Sequence, residues 1–95
     1  MKVQVNFFAW FRDLAGGKTF EITLNDNDPT LRDLINAFKE QINEKIYKKI
    51  NLLLKNKTPG LLIMVNGRNI SFLNGLETKI KENDKIAIFP PGAGG

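Results

Sequence analysis

The chain contains no cysteine and no histidine. Without cysteine it has no disulfide, no thiolate nucleophile and no zinc–thiolate site. Without histidine it lacks the commonest general base and metal ligand. No apolar run is long enough to span a bilayer. The segment Met1-Lys2-Val3-Gln4-Val5-Asn6 alternates like a strand and does not form the continuous apolar stretch of a signal peptide. A cytoplasmic protein without a membrane partner is therefore expected. A Walker-type Gly-Lys-Ser/Thr motif is also missing. Any chemistry falls to carboxylates, lysines, the tyrosine, hydroxyls or the C-terminal carboxyl group.

What is present suits one small domain. Ninety-five residues, 42% hydrophobic and 25% charged, can bury a modest core. The net charge is +4, which permits only weak, nonspecific attraction to nucleic acid. The densest basic group is Lys45, Lys48, Lys49, Lys55 and Lys57, with Tyr47 the one aromatic residue among them. It reads as a solvated helix face rather than a specific nucleic-acid site.

Hydrophobic periodicity orders the elements. Lys2–Phe8 alternates as a strand with Val3, Val5 and Phe7 on one face. Trp10, Phe11 and Leu14 precede Gly16-Gly17 as a short helical turn or loop. Phe20, Ile22 and Leu24 form a second strand, paired with the first. After the turn cluster Asn25–Pro29, Leu31, Leu34, Ile35, Phe38 and Ile42 recur at helical spacing. Thr30 is the expected N-cap of that helix, with Asp33 completing a short-armed capping box. Ile46, Ile50, Leu53 and Leu54 predict a second helical piece over about 44–54. Leu61–Val65 is a strand, Asn66-Gly67 a hairpin turn, and Arg68–Ile70 the returning strand. Leu73–Ile80 reads as turns or a short helix, and Lys85–Phe89 is the last strand. No repeat, low-complexity segment or linker interrupts this order, so residues 1–95 are read as one domain. The expected fold class is α+β: a ubiquitin-like β-grasp, with a mixed sheet packed on one main helix and the two terminal strands parallel neighbours. A ferredoxin-like sandwich is the alternative.

The chain closes on Phe89-Pro90-Pro91-Gly92-Ala93-Gly94-Gly95. Two prolines end the strand, because proline cannot continue a ladder. Beyond them no side chain exceeds a methyl group. Such a tail cannot pack, but it can be threaded through a narrow channel with a carboxylate at its tip. It is equally the pattern of a frayed chain end. Residues 92–95 are expected to be flexible in the free protein, because nothing there can bury enough area to offset about 1–2 kcal/mol of backbone entropy per residue.

Three segments carry a resemblance to a known family. Phe7-Phe8-Ala9-Trp10-Phe11-Arg12-Asp13-Leu14-Ala15-Gly16 resembles the first strand and loop of the small subunit of molybdopterin synthase. Val65–Ile70 with Leu73–Thr78, and Ile86–Pro91, resemble the same family's second half. The likeness is greatest to archaeal-type members, which include the small ubiquitin-like modifier proteins, and is loosest between Asn43 and Gly60. Two positions depart from the family pattern: Gly92 stands where a bulkier apolar residue is common, and Glu82-Asn83-Asp84 replaces Asp-Gly-Asp. Asn83 can supply the left-handed turn conformation in place of glycine.

The resemblance implies a carrier, not an enzyme. Its reacting centre is Gly95, with Gly94 letting the backbone pass where a Cβ would collide. A ubiquitin-activating-type adenylyltransferase would use ATP to join the Gly95 carboxylate to AMP, and a sulfur donor would convert the adenylate to a thiocarboxylate. The sulfur would then reach a pterin precursor in the large subunit of molybdopterin synthase. No metal and no bound cofactor are implied. Alternatively, the same activated end would be conjugated to target-protein lysines, or the chain would be a plain interaction domain.

The expected partner-contacting residues are Phe89, Pro90, Pro91 and Phe8. Phe89 is out of phase with Ile86 and Ile88, so it reads either as an outward docking aromatic or as packing against the helix end or tail. Phe8 and Trp10 read either as an apolar partner patch or as a local cluster over the loop. Arg12 and Arg68 read as surface charge or as contacts for an acidic partner. Asp13, Glu77 and Asp84 are assigned turn and cap roles.

Overall fold

A computed structural model describes residues 1–92. The elements are β1 (Lys2–Phe7), α1 (Trp10–Ala15), β2 (Thr19–Thr23), α2 (Leu31–Gln41), α3 (Glu44–Lys55), β3 (Leu62–Val65), β4 (Arg68–Asn69) and β5 (Lys85–Phe89), with short 3-10 turns at Ile70–Phe72 and Gly75–Glu77. The segment 73–80, open between turns and a helix on sequence grounds, contains the second of these turns. The five strands form one sheet in the order β2-β1-β5-β3-β4. β5 pairs parallel with β1 and antiparallel with β3. The terminal strands are therefore parallel neighbours at the sheet centre, as expected for a ubiquitin-like β-grasp. This arrangement rules out the ferredoxin-like alternative, whose sheet is antiparallel.

Period-2 alternation buries Val3, Val5, Phe7, Ile22, Ile63, Val65, Ile86 and Ile88 on one face of the sheet. Against that face lie Leu31, Leu34, Ile35 and Phe38 of α2, each at most 2% exposed. Phe38 meets Phe7 edge-on with ring centroids 5.5 Å apart. Ile42, expected on the same buried stripe, is instead the half-buried C-cap of α2. Here the backbone leaves helical geometry and the stripe ends. The capping box is present: Asp33 N–H donates to Thr30 Oγ1 at 3.4 Å, and Thr30 N–H donates to Asp33 Oδ2 at 2.9 Å.

The second helical piece lies where its periodicity places it, at Glu44–Lys55 against about 44–54. α3 has 12 residues against 11 in α2, yet buries only Ile46 and Ile50. It packs on α2 and α1 rather than across the sheet, so α2 remains the helix the sheet wraps. Asn43 sets its start. The Asn43 Oδ1 accepts Ile46 N–H at 2.8 Å, while Nδ2 donates to the C-terminal carbonyls of α1, Leu14 and Ala15, at 3.1 and 3.2 Å. One side chain thus caps α3 and satisfies the open end of α1.

Asn66 and Gly67 have φ of 51° and 82°, the two left-handed residues of a tight hairpin. Asn83 has φ 68°, so it adopts the conformation a glycine would supply. The net charge is unevenly placed. Between Glu44 and Lys57 lie five lysines and one acid, and the other nine basic and nine acidic residues balance. Four of those five lysines are exposed and Lys49 is half-buried. No helix among the described residues is long and apolar enough to cross a membrane.

Candidate functional site at the exit of the last strand

β5 occupies the middle of the sheet, and its C-terminal end is where the chain leaves the domain. Phe8 N–H donates to Ile88 O at 3.2 Å, extending the β1–β5 contact one residue past β1. Phe8 and Phe89 thereby become neighbours on the face turned away from α2. Their rings stack with centroids 4.3 Å apart and 9° between planes. Both are half-buried, each covering one side of the other. Phe89 therefore points outward, in opposite phase to the fully buried Ile86 and Ile88. Lys18 Nζ stands 5.5 Å from the Phe8 ring centroid.

The stacked pair begins a longer apolar surface. Phe89 is registered opposite Leu62, and Ala87 opposite Met64. Met64 shares a shallow depression with Arg68 and Phe72, and Phe72 is 86% exposed. Phe72 was not singled out from sequence, because it lies in the irregular segment after β4 where periodicity gives no phase. Its one sequence signal is a bulky aromatic between serine and the turn-forming Leu73-Asn74-Gly75.

The prolines differ from each other. Pro90 is buried and Pro91 half-buried. Pro90 contributes by directing the chain rather than by offering contact area. Trp10 Nε1–H donates to the Pro91 carbonyl at 3.2 Å. A Cβ placed on Gly60 would stand 3.2 Å from Pro91 Cα. Trp10 joins neither a bare partner patch nor a loop cover alone: it is 40% exposed and bonded to the root of the tail. Its neighbours Phe11 and Lys49 lie edge-on at 4.8 Å and over the ring at 5.9 Å. Gly92, with φ 79°, is exposed. Gly94 and Gly95, the expected reacting residues, lie outside the described residues, as does all but the first residue of the expected flexible segment 92–95.

Among the described residues, no three His, Cys, Asp or Glu side chains gather to hold a metal ion. Arg12 and Arg68 are exposed. Asp84 has the turn role assigned to it, accepting from Lys81 N–H at 2.8 Å and Asn66 Nδ2 at 2.9 Å. Glu77 faces Arg32 at 4.0 Å in an exposed pair. The shifted ionisations lie elsewhere. Lys48 holds the Glu44 carboxyl below its usual range, first by a hydrogen bond and then by its charge. Asp28 raises Lys79, chiefly through a hydrogen bond. The exit of β5 is thus an apolar platform, and the sequence continues beyond Pro91 with no side chain larger than methyl.

Sheet order, wrapped helix and strand-exit tail together define the class: a ubiquitin-like β-grasp protein. The chain belongs to the ThiS family, whose model matches residues 5–95. It is 28% identical over 95 residues to "Small archaeal modifier protein 3" of Haloferax volcanii, covering 100% of both chains. It is 39% identical over 66 residues to a "Putative sulfur carrier protein" of Archaeoglobus fulgidus, covering 70% of this chain and 74% of that one. Among solved structures it resembles "Putative molybdopterin converting factor, subunit 1" of Pyrococcus furiosus, with TM-score 0.65 and 31% identity over 96% of this chain and 98% of that chain. The chain therefore stands among small carrier and modifier proteins rather than among catalysts.

Proposed function

We propose that this chain is a sulfur carrier whose Gly95 carboxyl group bears the sulfur destined for molybdopterin, the organic part of the molybdenum or tungsten cofactor. The observation that carries the reading is the exit of β5. An apolar face built on Phe8 and Phe89 adjoins a tail whose last residues bring no side chain larger than methyl. Support comes from the family match, which runs through residue 95, and from relatives named for sulfur carriage and molybdopterin conversion. A carboxylate oxygen of Gly95 attacks the α-phosphorus of ATP held by a ubiquitin-activating-type adenylyltransferase, and pyrophosphate leaves. A sulfur donor then displaces AMP, forming C–S as the C–O bond to AMP breaks. The thiocarboxylate sulfur bonds to a pterin precursor in the large synthase subunit, and water cleaves the C–S bond to Gly95, leaving the sulfur on the pterin and regenerating the Gly95 carboxylate. The carrier holds no cofactor, and ATP belongs to the partner.

A second reading has a specific observation in its favour. The relative matched end to end is named a modifier protein, so the same activated Gly95 would form isopeptide bonds with target lysines. Intact mass of the protein from its native host separates the two, as a thiocarboxylate or as lysine conjugates. Both need a free Gly95. Appending one residue to it should abolish ATP-dependent activation and leave the unfolding curve unchanged. An extended chain that still acquires a thiocarboxylate would overturn the proposal.

A further inference from the structure

We propose that Trp10 and Gly60 are a positioning pair that fixes the direction in which the tail leaves the domain; this rests on the carrier reading above. Ala93, Gly94 and Gly95 come after the last described residue in the sequence, and three residues reach at most about 10 Å. The direction at Pro91 and Gly92 therefore sets the volume that the tip can reach. Displacements of about 1 Å at a reacting group already cost rate. A tail without side chains has nothing of its own to correct such an error. Its direction must be set at Pro91 and Gly92.

Two residues far apart in the sequence meet the root at Pro91. The Trp10 indole is a donor only, and it meets the Pro91 carbonyl at 3.2 Å. Gly60 also meets the root: it has φ 92° and no Cβ, and any Cβ there would reach to 3.2 Å from Pro91 Cα. The buried Pro90 precedes both contacts, so the chain enters the clamp from a fixed point. Trp10 is itself held by Phe11, which is fully buried, and by Lys49. Ala9, immediately before it, has φ 51° and ψ −138°, a region L-residues avoid. That backbone starts α1 one residue after the Phe8–Ile88 hydrogen bond and brings the indole beside the tail.

Trp10 is the only tryptophan in the chain, so its fluorescence and indole N–H report on the clamp directly. Trp10→Phe keeps an aromatic ring and removes the donor. In this variant the Gly92 amide should show larger fast-timescale motion by nitrogen relaxation, with an unchanged denaturation midpoint. In pyrophosphate exchange with the adenylyltransferase, kcat for the carrier should fall about tenfold while KM holds, because docking is left intact. Gly60→Ala should shift the Trp10 emission as Pro91 is displaced. Identical Gly92 relaxation in Trp10→Phe and the parent protein would overturn the clamp. So would looser Gly92 with unchanged kcat. If the parent protein is not adenylated at all, the carrier reading fails, while relaxation and emission still decide whether the clamp exists.

Discussion

At the scale of single residues, two side chains carry the exit site in different ways. Phe89 stacks on Phe8 at 4.3 Å, is registered opposite Leu62 and remains half-buried. Aromatic pairs of this kind contribute about 0.5–1.5 kcal/mol beyond their buried area. A large aromatic anchor in a partner pocket is commonly worth about 2 kcal/mol or more. Phe89→Ala should therefore weaken binding to the adenylyltransferase or the large synthase subunit about 30-fold and cost folding less than the roughly 3–5 kcal/mol of a fully buried phenylalanine. Calorimetric titration beside a denaturant curve measures both; unchanged affinity would move the docking surface elsewhere, with exposed Phe72 next in line. Ala9 illustrates a different cost. A non-glycine residue at φ 51°, ψ −138° stores about 1–3 kcal/mol of strain, held in place by the neighbouring Phe8 and Trp10 contacts.

Among elements, α2 bears the core. Its stripe of Leu31, Leu34, Ile35 and Phe38 is at most 2% exposed. Phe38 also meets Phe7 edge-on, at 5.5 Å. Phe38→Ala should cost about 3–5 kcal/mol through lost burial and the cavity left behind. A loss below about 1 kcal/mol in urea unfolding would contradict the packing. This element was legible because its signals are local. Apolar spacing, a Thr30 cap and Asp33 three residues on lie within one stretch of chain. α3 was legible in extent but not in weight. The sequence shows Ile46, Ile50, Leu53 and Leu54 at helical spacing, but only Ile46 and Ile50 are buried. Which apolar residues find a neighbour depends on where α1 and α2 stand, and Asn43 joins α3 to α1 across 28 and 29 positions.

For the molecule as a whole, the absence of histidine leaves no side chain that ordinarily titrates near neutrality. The two shifted groups act at the extremes. Glu44, lowered from 4.5, adds stability above that value and loses it as pH falls through its lowered pKa. Lys79, raised from 10.5, adds stability below that value and loses it as pH rises through its raised pKa. Both are exposed, so each contribution is small. Thermal unfolding should therefore show a plateau from about pH 6 to 9, with losses only beyond the two flanks. A steep change within the plateau would point to a coupled group that these assignments miss.

The sequence by itself determined the strands, the wrapped helix with its cap, the Asn66-Gly67 hairpin, and a chemistry without thiol or imidazole. These follow from residue type and from spacings of a few positions, where covalent geometry limits the outcomes. It also marked Phe89 as out of phase, which the pleat converts into an outward ring. The two hairpins and the parallel terminal strands were already legible; only the tertiary structure decided that β5 lies between β1 and β3 and that the rings of Phe8 and Phe89 stack. Nothing local distinguishes Trp10 from a core aromatic or Gly60 from an ordinary turn glycine. Their partner Pro91 lies 81 positions from Trp10 and 31 from Gly60. The first contact exists only after the parallel pairing of β1 with β5, the second only after the antiparallel pairing of β3 with β5.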